Sequence, residues 1–323
     1  MQTYIAKRLL LVLPTLFLVT TVTFLLVRAM PGDVLMARLA ESGLLGSSAG
    51  GFNDAEREAL RERLGLNDPL PIQYVKWVGG IATGDFGESL WNNQPVAEVI
   101  GNALPATLQL GVMALALAWL LALPLGIISA VRRNTVRDYA ARFITIGGIV
   151  LPDFWVGVIV ILLLSKVWNY FPPLLFVGLF DDPRANLEKL ILPALILGFR
   201  LSAIGARMTR SAMLEVLGSD YIRTAWAKGL NERAVVMRHA LRNSVLPVIT
   251  VLGAQLSILI GGTVIMETLF VIPGMGRLAI TSVTARDFPL IQANVLVLSV
   301  FVVFANLLVD ISYGFVDPRI RYS

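Results

Sequence analysis

Apolar runs of membrane length recur along the whole chain and decide its fold class. Six of them, at about 9–29, 104–131, 140–166, 189–209, 244–268 and 289–312, reach the roughly 20 residues that cross a bilayer as a helix. With no water in the hydrocarbon, a spanning backbone must satisfy its own N–H and C=O groups, so each run is expected to be helical. The second run opens at Pro105 and is interrupted at Pro124, and neighbouring helices can satisfy the carbonyls such prolines free. Hydrophobic residues make up 56% of the 323 positions and charged ones 15%, more apolar surface than a soluble domain of this size needs. The first run follows Lys7-Arg8 and ends in Arg28-Ala29-Met30-Pro31; it is too long for a signal-peptide core and is expected to stay as an uncleaved span. The chain therefore reads as an all-α polytopic membrane protein.

Lys and Arg in short flanks set the orientation. With the amino terminus inside, the cytoplasmic segments carry Lys7, Arg8, Arg132, Arg133, Arg137, Arg142, Arg207, Arg210, Arg223, Lys228, Arg233, Arg238, Arg242, Arg319 and Arg321. Their acids are only Asp138, Glu215, Asp220, Glu232 and Asp317. The opposite side is richer in Asp and Glu than in Lys and Arg, so both termini are predicted to be cytoplasmic. The extracytoplasmic segment 30–103 reads as a small helical insertion after the first span. Asn53 or Asp54 can cap a helix that runs through Leu64 and closes at Gly65. Pro71 can open a second one through Val78, with Tyr74 and Trp77 suited to packing on the membrane domain.

Several chemistries are excluded early. There is no Cys, so disulfides and thiolate metal sites are absent, and the one histidine, His239, rules out a His cluster within this chain. No Gly-x-x-x-x-Gly-Lys-Ser/Thr loop is present to cradle phosphates. Asp85-Phe86-Gly87 matches the kinase metal motif in letters only, without a Gly-rich or catalytic loop beside it. We therefore expect no catalytic residue, no metal site and no cofactor in this chain, and no nucleic-acid partner.

The most informative polar stretch lies between the fourth and fifth spans. Ser219 or Asp220 can cap a short helix, and Tyr221, Ile222, Ala225 and Trp226 share one face of it at helical spacing. Arg223, Thr224 and Lys228 fall elsewhere, and Gly229 can take the left-handed conformation that stops a helix. Asn231 can cap the next one, whose Glu232 complements the helix dipole. The residues alone leave two readings open: a basic helix lying on lipid headgroups, or a docking helix offered to a soluble partner.

A resemblance separates them. Tyr221 through Leu230, then Arg238-His239-Ala240-Leu241-Arg242-Asn243 and Leu246-Pro247, resemble the cytoplasmic loop of the dipeptide/oligopeptide permease family, the transmembrane subunits of binding-protein-dependent ABC importers. Tyr4-Ile5-Ala6-Lys7-Arg8-Leu9, Met30-Pro31-Gly32-Asp33, Gly84-Asp85-Phe86-Gly87, Leu104-Pro105-Ala106-Thr107-Leu108, Pro273-Gly274-Met275-Gly276-Arg277-Leu278 and Asp317-Pro318-Arg319 resemble it too, in order along nearly the whole chain. Arg223 stands where the wider importer superfamily has Glu, and the distance from Gly229 to Pro247 is longer, as in the peptide branch.

The resemblance implies a permease subunit in a bacterial inner membrane. It implies four partners besides the lipid bilayer: a homologous second permease, two ATP-binding subunits that hold ATP and magnesium, and an extracytoplasmic solute-binding protein. Residues 219–229 would be the coupling helix, with Ser219, Asp220, Tyr221, Ile222, Arg223, Thr224, Ala225, Lys228 and Gly229 at the ATPase contact. The domain plan becomes 1–29 for the amino-terminal segment and first span, 30–103 for the insertion, 104–312 for the core with its coupling loop 211–243, and 313–323 for a cytoplasmic tail. An ion-driven secondary transporter would show inverted repeats around an ion site, and none is visible. An intramembrane enzyme would need a nucleophile with a base or a metal.

Ionisable residues inside spans are functional candidates, because a charge in hydrocarbon is costly. Asp153 is expected midway along the third span and Arg200 midway along the fourth. They either neutralise each other or line a solute path, where one acid and one base would suit a peptide. Glu267, near the outer end of the fifth span, is either a structural cap or a gate. Asp310 is expected to pair with a cytoplasmic Arg.

Overall fold

The computed structural model describes residues 2–29 and 67–316; the side chains of 2–9, 256–258, 260 and 310–316 fall outside that description. The expected 53–64 helix, the tail from 317 onward and the pairing of Asp310 also lie outside it. The described helices are α1 Gln2–Ala29, α2 Leu70–Ala82, α3 Val96–Val131, α4 Val136–Val150, α5 Asp153–Trp168, α6 Pro183–Leu217, α7 Asp220–Ala227, α8 Glu232–Ala234, α9 Leu241–Leu269, α10 Met275–Ala285 and α11 Phe288–Val316. A π-helical turn, Val235–Ala240, joins α8 to α9. Five helical segments, one of them running from α8 through the π turn into α9, are long and apolar enough to cross a membrane, and the bent pair α4–α5 makes a sixth candidate. Among the described residues there is no strand, only an isolated Glu88–Pro95 bridge.

The core is a seam between α3 and α6. Along α3, Ala106, Leu110, Ala114, Ala118, Ala122, Gly126 and Ala130 recur every fourth residue, and all are buried. Small residues at this spacing let two backbones approach closely in a membrane, where packing rather than the hydrophobic effect drives helices together. A Cβ at Gly126 would sit 2.7 Å from Thr209 Cγ2 and 2.8 Å from the Ala206 carbonyl; one at Gly198 would sit 2.8 Å from the Ala114 carbonyl. Neither position has room for a side chain, so the glycines fix how deep the seam is. Asp182 caps α6 by accepting from the Arg184 and Ala185 amides at 3.0 and 3.1 Å, with Pro183 in its first turn.

The third span departs from expectation. Instead of one helix over 140–166, the chain breaks at Leu151-Pro152 and turns by 106° between α4 and α5. Proline disfavours the helical region for the residue before it, and Leu151 is extended, with ψ 126°. Pro14, Pro105, Pro124, Pro193 and Pro247 remain inside helices. Asp153 is therefore the first residue of α5 rather than the middle of a continuous span.

The second insertion helix, α2, begins one residue before Pro71 and runs to Ala82. It lies against α1 as its aromatic residues suggest. The Tyr74 ring meets Phe24 edge-on at 5.4 Å, and the Tyr74 and Thr20 hydroxyls share a hydrogen bond of 2.9 Å. Alternation of the spans gathers the turns on two sides. Those around α7 form one side, and those around α10 form the other.

Candidate functional site

On the α7 side, the chain leaves α6 through Gly218 and enters α7 at Asp220. Ser219 takes the extended backbone of a cap, but its hydroxyl donates to the Val216 carbonyl at 2.5 Å and caps nothing. The expected side-chain cap is thus absent, and Asp220, in the first turn, supplies negative charge at the helix start. The apolar face also divides. Ile222 and Ala225 are buried, whereas Tyr221 and Trp226 are about half exposed. At about 100° per residue the four positions cover an arc of roughly 140°, and only the central two point fully inward. Ile222 packs among Ala130, Met213, Val235, Val236 and Ala240, so α7 is held on α3, α6 and the π turn together. The Tyr221 hydroxyl accepts from Asn243 Nδ2 at 2.8 Å.

Outward, α7 presents Asp220, Arg223, Thr224 and Lys228. The Arg223 guanidinium, 77% exposed, lies 3.5 Å from the Asp220 carboxylate. Thr224 turns its hydroxyl to the Asp220 carbonyl at 3.0 Å. Gly229 stops the helix at φ 77°, where a side chain would be strained. Asn231 then accepts from the Ala234 amide at 2.8 Å, the cap expected of it. The π turn that follows carried no sequence signal. Such turns insert one residue into a helix and recur at functional sites.

Asp138, at the foot of α4, joins this side together. It is fully buried and accepts from Ser129 Oγ at 2.5 Å, the Asn134 amide at 2.9 Å, Arg142 at 2.9 and 2.6 Å and Arg210 at 3.2 and 3.3 Å. The i,i+4 spacing of Asp138 and Arg142 was visible in the sequence; the reach to Arg210 on α6 was not.

In the middle of the bundle, Arg200 Nη1 donates to Asp153 Oδ2 at 2.6 Å. Asp153 is 6% exposed while the Arg200 side chain is 48% exposed. The pair is one-sided. The carboxylate is enclosed, and about half of the arginine side chain is left exposed.

On the α10 side, Glu267 is fully buried. Its Oε1 accepts from Thr107 Oγ1 at 2.7 Å and its Oε2 from the Arg277 amide at 2.9 Å, while Thr107 Oγ1 accepts from the Met275 amide at 2.7 Å. The carboxylate thus caps α10, where helix amides and dipole favour negative charge. Of the two expectations for Glu267, the geometry has the form of the cap.

Sequence reasoning passed over Lys189. It is fully buried, and its ammonium donates to the Pro173, Leu174 and Phe270 carbonyls at 2.6, 3.1 and 2.6 Å. Its only signal was a lone cation opening an apolar run. The next residue after Phe270, Val271, has φ 54°, unusual for a β-branched side chain. Ser89 Oγ donates to Asp287 Oδ2 and pins the α2–α3 connection to the start of α11. Asp153, Arg200 and Glu267 do not form one cluster: the first two meet, and Glu267 belongs to the α10 knot.

Comparison with known proteins covers the whole chain. The family model described as "Binding-protein-dependent transport system inner membrane component" matches residues 122–322, and its amino-terminal companion, "Binding-prot-dependent transport system membrane comp, N-term", matches 1–111. The oligopeptide transport system permease protein AppB of Bacillus subtilis (strain 168) is 40% identical over 329 residues, covering 100% of both chains. The dipeptide transport system permease protein DppB of Escherichia coli (strain K12) is 39% identical over 350 residues, again with 100% of both covered. The di/tripeptide transport system permease protein DppB of Pseudomonas aeruginosa (strain UCBPP-PA14) is 39% identical over 343 residues with the same coverage.

Proposed function

The chain belongs to the family of binding-protein-dependent transport system inner membrane components, the permease subunits of ABC importers, and on that footing we propose that it carries peptides and is driven through α7. In this reading α7 docks on an ATP-binding subunit, and both termini lie on the same, cytoplasmic side. A homologous second permease, two ATP-binding subunits holding ATP and magnesium, and an extracytoplasmic solute-binding protein complete the assembly. The relatives named for dipeptide, di/tripeptide and oligopeptide transport support peptides as the solute class. One observation carries the docking role: α7 is fastened inward by Ile222 and Ala225 yet leaves Asp220, Arg223 and Lys228 exposed and without a rigid partner. ATP binding would draw the ATPases together. Displacement of α7 would pass through Ile222 into α6 and the π turn, and from there to α9.

Because the chain has no Cys, one introduced thiol tests orientation and docking together. In Arg223→Cys, a membrane-impermeant maleimide should leave intact cells unlabelled and label inverted vesicles. Bound ATPase subunits should slow that labelling markedly, because an interface excludes solvent from the positions it covers. Gly229→Val, which forces a β-branched residue to positive φ, should lower ATPase retention while insertion persists. Labelling of intact cells would overturn the orientation, and equal labelling with and without the ATPases would overturn the docking role.

Arg200 is the proposed contact for solute charge. A half-exposed arginine side chain at mid-span is costly to set against hydrocarbon, which supports a place for it on a path shared with the second permease. There it would meet a peptide carboxylate while Asp153 holds it in place. If the residues serve solute, Asp153→Asn and Arg200→Gln should assemble normally and shift preference among peptides of different charge. If the pair is only structural, each single change should destabilise the subunit by several kcal/mol and the double change should recover. That recovery, with unchanged solute preference, would remove Arg200 from the path.

A further inference from the structure

We propose that the cleft between the end of α3 and the π turn binds an anionic phospholipid. The cleft measures about 900 Å³, within the range of sites that enclose a small ligand. Its walls are apolar. Ile127, Val131 and Val236 line its depth, and Ile128 and Met237, 43% and 51% exposed, stand at its mouth. Its rim is basic, with Arg132, Arg137 and Arg233 against a single acid, Glu232. That acid is already engaged, 3.3 Å from Arg132.

The order of these groups along α3 identifies the occupant. The membrane-length apolar helix ends at Val131, and Arg132 begins the polar turn that follows. An apolar slot beside the end of this helix that passes into the guanidinium groups of Arg132, Arg137 and Arg233 matches an anionic lipid, its acyl chain against the isoleucines and its phosphate at the arginines. Guanidinium forks suit phosphate oxygens, and basic pockets between spans at this depth favour anionic headgroups. A soluble partner would meet the arginines, whereas a lipid would meet them with its phosphate and fill the apolar slot with its chain. Part of the slot floor, Val236, belongs to the π turn that also receives Ile222. A lipid seated here would therefore brace the same turn that holds α7.

Native mass spectrometry of the full transporter, with palmitoyl-oleoyl phosphatidylglycerol or phosphatidylcholine added as probe, tests the site. Wild type should retain phosphatidylglycerol strongly over phosphatidylcholine. The triple change Arg132→Gln, Arg137→Gln, Arg233→Gln should cut that retention by on the order of 100-fold, from roughly fivefold per arginine at a membrane surface. Ile128→Trp should reduce it with the charges intact, whereas Glu232→Gln should raise it, an outcome that misfolding does not produce. Inorganic phosphate should not displace the lipid. Equal retention of the two lipids, unchanged retention in the triple variant, or cross-linking of a photoreactive residue at 237 to another polypeptide instead of lipid would overturn the proposal.

Discussion

Asp138→Leu should lower the stability of the subunit by about 3 kcal/mol and leave little assembled permease in the membrane. The carboxylate is fully buried and receives a hydroxyl, an amide and two guanidinium groups drawn from α3, the α3–α4 turn, α4 and α6. Leucine removes every acceptor at once. Arg142 and Arg210, 38% and 23% exposed, recover part of their hydration, which places the effect at the low end of the range for a broken buried pair. The Asn134 amide and the Ser129 hydroxyl recover less. Fluorescence-detected gel filtration after a temperature series measures the loss. A midpoint within a degree or two of wild type would show that the cluster is dispensable.

Gly274→Val should be comparably damaging on the opposite side, at roughly 3–5 kcal/mol. A Cβ there would lie 2.5 Å from Glu267 Oε2 and 2.6 Å from Thr107 Oγ1. Overpacking alone costs typically 1–3 kcal/mol, and each buried polar group pushed off its partner adds about 1–3 kcal/mol. The α10 cap, the Met275 amide and the Thr107 hydroxyl would all be disturbed together. Gly79→Val is the control, because nothing lies within 4 Å of a Cβ there. Equal thermal midpoints for the two variants would refute the steric account.

The spans were legible because a membrane asks for only one property, sustained apolarity over about 20 residues, and the chain states it openly. Helix α7 was legible for a different reason: Gly229 and Asn231 are local punctuation, and both act where they stand. What remained hidden depends on distance across the fold. Pro152 is one of several prolines in apolar runs, and only tertiary context makes it the break. Lys189 is a single charge whose partners are backbone carbonyls, and Glu267 divides its carboxylate between the Thr107 hydroxyl and a backbone amide; a backbone group has no letter to read. Ser219 looked like a cap, but a serine hydroxyl also bonds back to the preceding turn. The pairing of Asp153 with Arg200 was one of two alternatives the sequence left open, and its lopsided exposure lies beside the break at Pro152.

The Ala/Gly seam between α3 and α6 has a mechanical meaning. The two helices, 36 and 35 residues long, meet through small residues at most turns, with Leu110 the one large side chain in the α3 row. They cannot slide without lifting a glycine off a backbone carbonyl, so they behave as one stiff beam. Rigid-body motion needs compliance somewhere, and the chain provides it at two interruptions of regular helix, Leu151-Pro152 and Val235–Ala240. A displacement applied at one end of the beam would be carried to the other, and the two interruptions are where it would turn into rotation.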